Sequence, residues 1–548
     1  MDEDEAGASR TRYRFGPLVR RGVIAGFRGG QLVAIATGLL VAVATVRMST
    51  SGPAMVVAVT AVAVGAGVAV WPVHGRTPEE WAPDAFRYAA GAVQRRRREG
   101  ADPFGWFDLV AVAVGQEGVP GERAPALSIV DEQSNRASMH ESPRRLATGG
   151  SSSRRATAGS TPWSATGGLR HESAQGGSSH HVGVVVDRRR EVYSAVLSVE
   201  APGFLLGSDA DKDRRVAQWA GVLASVASDG GAVHRLQWIE RSVPDDGTGL
   251  WQHLEERGRL APDEAPAASY RALLRSAAVA TVHHGVLLVV AVRPQQARRA
   301  VRSAGGGDRG ACTVLLREVA ALRRRMVDAE VTSSGPLGPR ALAGVLRGAI
   351  DPDRQVAAAP GVATGAGVPG GRPGGRWTWP WPMAVDEKWG ALRTDATWHA
   401  VYWVAQWPRR DAGADFLASL LLVGDVRRTV SVVMEPVGPA EAARQVEQAR
   451  TADIADAELR RRGGFVATAR RRREADTLAG RETELADGHA QYRFCGYVAV
   501  TATDPDALER ACGRVEQAAA QGGLELRRCY GDQRRAFVAT LPLGYGLA

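Results

Sequence analysis

The chain has 548 residues, with 69 Lys+Arg against 59 Asp+Glu, a formal net charge of +10 and an apolar fraction of 45%. That is enough chain for several hydrophobic cores, and it excludes a small disulfide-stapled scaffold, a collagen-like fibre and a wholly disordered tail. Only Lys212 and Lys388 are lysines, the other 67 basic residues being arginines, so there is little scope for lysine chemistry. The general Ala, Gly, Val and Arg bias makes the positive charge weak evidence for a nucleic-acid partner. Cys312, Cys495, Cys512 and Cys529 lack C-x-x-C spacing and read as small buried hydrophobes.

Residues 1–28 form a basic N-terminus. Leu32 to Val46 and Ala54 to Trp71 are charge-free apolar runs separated by Arg47 to Pro53. The second approaches the ~20 residues that cross ~30 Å of hydrocarbon, and the first borrows Gly29, Gly30 and Gln31 to do so. Together they predict a transmembrane hairpin over 29–72. A cleaved signal peptide is the weaker reading, because the first apolar run lies after a 31-residue lead and before a second run, without a convincing small-x-small site. Arg10, Arg12, Arg14, Arg20, Arg21 and Arg28 precede the first run, and Arg76, Arg87 and Arg95 to Arg98 follow the second. Arg47 alone lies between, so the positive-inside rule predicts a cell-membrane protein with two spans and both termini cytoplasmic. Trp71, Arg76 and Trp81 are the expected membrane-interface residues. Residues 73–117 read as a juxtamembrane amphipathic region whose helix starts at Thr77-Pro78-Glu79-Glu80.

The series Arg14-Phe15-Gly16-Pro17-Leu18, Gly30-Gln31-Leu32, two spans, then Gly75-Arg76-Thr77-x-Glu79-Glu80-Trp81 resembles the PrgI family, the small two-span membrane subunits of Gram-positive conjugation and type IV secretion systems. The likeness covers roughly residues 10 to 100.

Residues 118–180 turn to Gly, Ser, Arg and Thr and read as a flexible linker. The lobe at 181–356 opens with strands Val182 to Asp187 and Val192 to Val199, joined as a hairpin by Arg188-Arg189-Arg190. A helix over Asp209 to Ser228 follows from the spacing of Val216, Trp219, Val222, Leu223 and Val226. Then come a strand at His234 to Val243, a helix at Pro262 to Val279, a strand at Val282 to Val292, a long helix around Ala311 to Asp328, and a helix after Pro339. A Gly/Pro linker at 357–376 precedes a second lobe, 377–548, that repeats the logic. Its strands are expected at His399 to Trp407, Thr429 to Val433, Tyr492 to Thr503 and Leu524 to Tyr530. Helices are expected at Phe416 to Leu422, from Pro439 to about Ala475, and at Pro505 to Gln521. The fold class is α+β, with a ferredoxin-like second lobe carrying a long helical insertion.

Trp407-Pro408-Arg409, Leu420-Leu421, Glu435-Pro436, Leu508-Glu509, and Gln533 before Leu541-Pro542-Leu543-Gly544 resemble the N-terminal domain of TraC/TrbE/CagE-type conjugation ATPases over about 181–548. In that family a P-loop ATPase domain follows the equivalent of Leu541-Pro542-Leu543-Gly544, whereas this sequence stops at Ala548. A P-loop requires G-x-x-x-x-G-K-[ST], and Lys212 in Asp-Lys-Asp and Lys388 in Glu-Lys-Trp both fail it. Gly361 to Gly375 lacks a lysine and a following helix. His180-His181 and His283-His284 are adjacent pairs that no helix or strand directs to one face. No catalytic residue, cofactor or metal is expected, and the chain reads as a non-enzyme.

Trp377, Trp379 and Trp381 alternate as on one side of a strand. With Trp407, Pro408, Glu435, Pro436, Gln533, Leu541 and Pro542 they are the expected partner-docking residues, packing across the lobe boundary being the competing reading. The runs Arg460 to Arg462 and Arg470 to Arg473 read as a solvated helix, with contact to nucleic acid or an acidic surface left open. The resemblances imply an inner-membrane structural subunit of a type IV secretion or conjugation-like system. Its partners would be membrane lipid, other channel subunits and a separately encoded P-loop ATPase that it anchors and positions, with self-association left open. The alternative is an EccE-like membrane component of a type VII secretion system.

Overall fold

The computed structural model describes residues 29–49, 51–70, 106–114, 128–130, 180–200, 203–228, 230–244, 265–278, 282–352, 380–408, 412–462 and 469–547, with a few isolated positions such as Phe104 and Tyr88. The expected N-terminus 1–28, Trp71, Arg76, Trp81, nearly all of the linkers, Trp377 and Trp379 lie outside the described residues.

Helices α1 (Gly29–Met48) and α2 (Gly52–Val70) form a hairpin. They meet at glycine: a Cβ on Gly38 would stand 2.7 Å from the Ala61 carbonyl oxygen, and one on Gly65 3.0 Å from that of Ala34. The Thr37, Thr45 and Thr60 hydroxyls donate to the carbonyls four residues back, at 2.8, 2.7 and 2.7 Å, so they demand no water. Among the described residues, however, no helix is long and apolar enough to cross a membrane. The expected hairpin is present as a packed helix pair.

The rest is mixed α+β around one antiparallel sheet. Its elements are β1 (Phe107–Val114), β2 (Ser128–Val130), β3 (His180–Asp187), β4 (Val192–Glu200), α3 (Asp209–Val226), β5 (Val233–Pro244), α4 (Ala265–Ala278), β6 (Val282–Val292), α5 (Arg298–Ser303), α6 (Gly307–Asp328), β7 (Thr332–Pro336) and α7 (Pro339–Ile350). These are followed by β8 (Val385–Glu387), β9 (Leu392–Thr394), β10 (Thr397–Gln406), α8 (Ala418–Leu421), β11 (Arg427–Val437), α9 (Pro439–Arg462), α10 (Ala469–Ala486), β12 (Gln491–Ala502), α11 (Pro505–Gln521), β13 (Glu525–Arg528) and α12 (Gln533–Val538). The strand order is β2-β1-β3-β4-β6-β5-β11-β12-β10-β9-β8, with β7 on β4 and β13 on β10.

Two copies of one plan lie in that order. In β4-α3-β5-β6-α6-β7 and in β10-α8-β11-β12-α11-β13, the strands stand second, third, first, fourth, as in a ferredoxin-like sandwich. Each copy carries its helical insertion between its second and third strands: α4 in one, the hairpin α9–α10 in the other. The copies join through their second strands, β5 and β11, antiparallel and centred on Ile239 opposite Ser431. Such pairing of like with like is a pseudo-two-fold axis. The lobes expected at 181–356 and 377–548 thus share one sheet. The linker and juxtamembrane expectations also need correction, because β1 and β2 extend that sheet from within 73–117 and 118–180. Strand β11 runs on to Val437, since Pro436 sits in the ladder opposite Tyr492.

Helices α3 and α6 cover one face over the first copy, while α8 and α11 cover the same face over the second. Across the opposite face runs a single shared core, built from Phe104, Phe107, Trp381, α7, α12, Leu541 and Leu543 against Val196, Ile239, Val289 and Val401. β6 is buried through its last six residues, as an interior strand covered on both sides should be.

His399 is fully buried on that shared face, its Nε2 2.7 Å from Thr394 Oγ1 and 3.2 Å from the Ile350 carbonyl. Burial pushes its ring down to about 3, and burial beside Arg235 pushes His234 down to about 4. The unfolded chain, with imidazoles near ~6.5, therefore takes up protons first. The stability both rings lend is intact above pH ~6.5 and is lost as pH falls toward 4, each adding a slope of up to about 1.4 kcal/mol per pH unit. Urea denaturation of the purified chain at pH 7, 5.5 and 4 will show this decline, and His399→Asn will flatten it.

Candidate functional site

Of the docking residues expected from sequence that the structure describes, five are interior: Trp381, Pro408, Gln533, Leu541 and Pro542. Gln237 of β5 and Ser431 of β11, neighbours at the pseudo-two-fold, are both completely buried. The Gln237 Nε2 group lies within hydrogen-bonding distance of Ser431 Oγ (2.9 Å) and of the carbonyls of Ala539 (2.9 Å) and Leu541 (3.0 Å), and its Oε1 accepts from the Gly544 N–H at 2.8 Å. Ser431 donates to Ala539 O at 2.8 Å, and Ser194 of β4 donates to Leu543 O at 3.1 Å. The Leu541-Pro542-Leu543-Gly544 segment is therefore a strap laid over the junction, its backbone polar groups paired inside the protein, as burial requires. Gly544 has φ +65, and a Cβ there would meet Ala291 Cβ and Ser194 Oγ at 2.9 Å, so only glycine fits.

Beyond it, the Arg190 guanidinium lies 4.2 Å from the Tyr545 ring centroid, and Arg235 donates to Leu547 O at 2.9 Å. Arg235 also faces Glu435 at 3.5 Å, and Arg493 pairs with the other Glu435 oxygen at 2.8 Å. The Glu-Pro motif thus supplies a half-buried ion pair between the two copies. Gln533 is completely buried and serves as a surrogate strand: its Oε1 accepts from Val401 N–H at 2.8 Å, and its Nε2 faces the carbonyls of Val401 (3.2 Å) and Cys529 (2.9 Å).

Trp381 is 1% exposed and stacks on Phe104 with ring centroids 5.3 Å apart and planes within 4°. Trp381, Pro408, Gln533, Leu541 and Pro542 are buried, which corrects the expectation that they form a docking surface: their apolar area and hydrogen bonds are already used within the chain. Among the described residues of that set, Trp407, Glu435 and Pro436 keep partial exposure. Trp407 lies edge-on to Phe416 (6.2 Å) and to the exposed Phe494 (5.4 Å), over Gly496, where a Cβ would touch the indole at 2.9 Å. Beside it, Pro408, Gln406, Phe416, Ser419 and Gly522 line a cleft of about 820 Å³. Tyr88, from the segment after the α1–α2 hairpin, packs edge-on at 5.3 Å against Trp389 between β8 and β9, and Trp389 stacks on Tyr530.

Lys212 lies 3.7 Å from both Asp209 and Asp415, and Lys388 pairs with Asp386 at 2.8 Å. His284 Nδ1 stands 2.7 Å from Glu240 Oε1 and 3.1 Å from Ser242 Oγ. Serine and carboxylate meet the same ring nitrogen, so the histidine cannot relay a proton between them. Among the described residues, no group of three or more His, Cys, Asp or Glu could hold a metal ion. All four cysteines are free, and burial followed by the nearby Asp308 carboxylate pushes Cys312 up to about 12. The polar residues that matter most here, Gln237, Ser431 and Ser194, escaped the motif reading. Their one signal is a lone polar side chain within a β-branched or aromatic run. No protein-family model and no curated protein sequence matches the chain.

Gln237→Leu leaves the buried Gly544 N–H without its acceptor, while the Ala539 carbonyl keeps Ser431 and the Leu541 carbonyl keeps the Leu543 N–H as donors, and it should lower stability by about 2 kcal/mol. Ser431→Ala removes one donor and should cost about 1 kcal/mol. Urea midpoints of the two variants check the ranking, and limited proteolysis of Gln237→Leu should release the strap first.

Proposed function

We propose that the chain is a non-enzymatic membrane subunit of a type IV secretion or conjugation-like system, which anchors and positions a P-loop ATPase encoded separately. The observation that carries this reading is the α1–α2 hairpin. Leu40 is 70% exposed, Val59 69% and Val56 66%, on helices whose hydroxyls are all turned back on their own backbone. A bare apolar surface of that kind needs a hydrocarbon cover, and a bilayer supplies one all round. The PrgI-like motifs flank this hairpin.

The motifs resembling the front of a conjugation ATPase support the second half of the proposal. Trp-Pro, Glu-Pro, the glutamine and Leu-Pro-Leu-Gly hold the body together, and both lysines are occupied by carboxylates outside any phosphate-binding loop. A body braced in this way suits a mount for a motor held in trans. Tyr88 against Trp389 would tie the hairpin side of the chain to the sheet edge. The half-exposed Trp407 and Phe494 are the surface we assign to the ATPase, because aromatic anchors of this kind dominate interface energies.

The test is purification of the tagged full chain from detergent-solubilised membranes. A conjugation-type ATPase should follow it, and deleting the chain should abolish transfer. Phe494→Ala, at the more exposed of the two rings, should weaken capture by about 1 kcal/mol or ~5-fold while leaving the urea midpoint of the body near wild type. Recovery of an FtsK-like ATPase with small WXG-type proteins would instead select the type VII reading, and transfer that survives deletion would refute the proposal.

A further inference from the structure

The strap ends over one end of the sheet, where arginines gather from neighbouring strands. In the strand order β4-β6-β5, Arg190 lies in the turn that leads into β4, Arg293 follows the end of β6, and Arg235 stands near the start of β5. Adjacent strands are ~4.8 Å apart, so Arg293 holds the middle of the row. Arg235 lies opposite Ala291 in the ladder, and Ala291 is the residue that a Cβ on Gly544 would meet. Arg235 and Arg293 therefore belong to the strap side of the sheet, as does Arg190, whose Nη2 donates to Tyr545 Oη at 3.3 Å. The positive charge here exceeds what surrounds it. Arg188 is matched by Asp108 and Asp308, but Glu435 is shared between Arg235 and Arg493. Glu191 accepts from Gln295 at 2.8 Å. Neither Arg190 nor Arg293 has a carboxylate partner among the described residues. Four arginines against two carboxylates leave two charges unmatched.

Burial makes that excess costly. Arg235 is 8% exposed and His234, in the bulge beside it, 4%. Arg235 Nε, Arg293 Nε and His234 Nδ1 are buried without a hydrogen-bond partner among the described residues. Burial first, and then the Arg190 and Arg293 charges against the pull of Glu435, lower the proton affinity of the Arg235 guanidinium. Like charges and unpaired donors held together in an interior cost free energy that an anion between them would recover. We propose that Arg190, Arg235 and Arg293 bind the phosphate group of a phosphate monoester at the end of the strap, a site that does not depend on the membrane reading of the α1–α2 hairpin. Such a group carries a charge of about −1.5 to −2 at pH 7 and three acceptor oxygens. It therefore answers both unmatched charges, whereas a single carboxylate would answer one, and guanidinium forks suit its oxygens.

Equilibrium dialysis of the purified full chain against radiolabelled inorganic phosphate, at about pH 8 where the ion is a dianion, should show a single saturable site. Arg293→Gln should weaken it about tenfold, and Arg444→Gln, at an exposed position of α9, should leave it unchanged. Without phosphate, Arg293→Gln should hold or raise the urea midpoint, because it removes a charge that has no partner. Added phosphate should raise the wild-type midpoint and leave that of the variant in place. Displacement by AMP makes the ester a nucleotide's, and displacement by glycerol 3-phosphate alone makes it a lipid headgroup's; either outcome supports the site. Absence of saturable binding overturns the proposal, as do displacement by neither ester, displacement by acetate as readily as by the esters, and equal weakening by Arg444→Gln. A midpoint that falls in phosphate-free Arg293→Gln makes the arginine structural and overturns it too.

Discussion

Everything in the body hangs on the Gln237 carboxamide. It sits on the buried strand pair that joins the two copies, its two amide hydrogens facing Ser431 Oγ and the Ala539 and Leu541 carbonyls and its oxygen accepting from the Gly544 N–H. In that interior a hydrogen-bonding group without a partner costs ~1–3 kcal/mol, so the amide fixes the register of β5 against β11 and the path of the strap together. A one-residue slip of that ladder would turn Gln237 to the helix side and the apolar Trp238 to the strap.

Duplication explains the architecture more economically than two independent lobes. Each copy covers one sheet face with its own helices and leaves the other face bare. Joining second strand to second strand makes the two bare faces continuous, and the strap, α7 and the Phe104–Trp381 stack close them as one core. The copies have diverged at equivalent places. Where the first has Glu240, Ser242 and His284 hydrogen-bonded together, the ladder register gives the second Val432, Met434 and Phe494. Glu240 and Ser242 are buried, and the two sets end at equivalent places in exposed rings, His284 and Phe494. The second copy carries the α9–α10 hairpin and meets Tyr88.

Much of the fold was legible in residue patterns. The strand Val282–Val292 and the helix Pro505–Gln521 stand where periodicity and the Asp504-Pro505 start put them, because an eleven-residue apolar run and a capped amphipathic helix state their structure locally. The ferredoxin-like order of the second copy followed from the alternation of its elements. What failed was local signal of a different kind. Strand β1 lies within a stretch that reads as juxtamembrane, and β7, β8 and β9 are three to five residues long and acquire their conformation from the ladder they join.

The sequence by itself determined the element types, the α1–α2 helix pair, the absence of a Walker lysine at either Lys212 or Lys388, and the presence of a Leu-Pro-Leu-Gly segment and two arginine runs. Only the tertiary structure decided what these do. It turned the Leu-Pro-Leu-Gly segment from a docking motif into a buried strap and Trp381 from a surface ring into a stacked core ring. Propensity and periodicity act over a few residues of chain, whereas burial and hydrogen-bond pairing are settled between residues as far apart as Gln237 and Gly544, and no local pattern encodes that meeting.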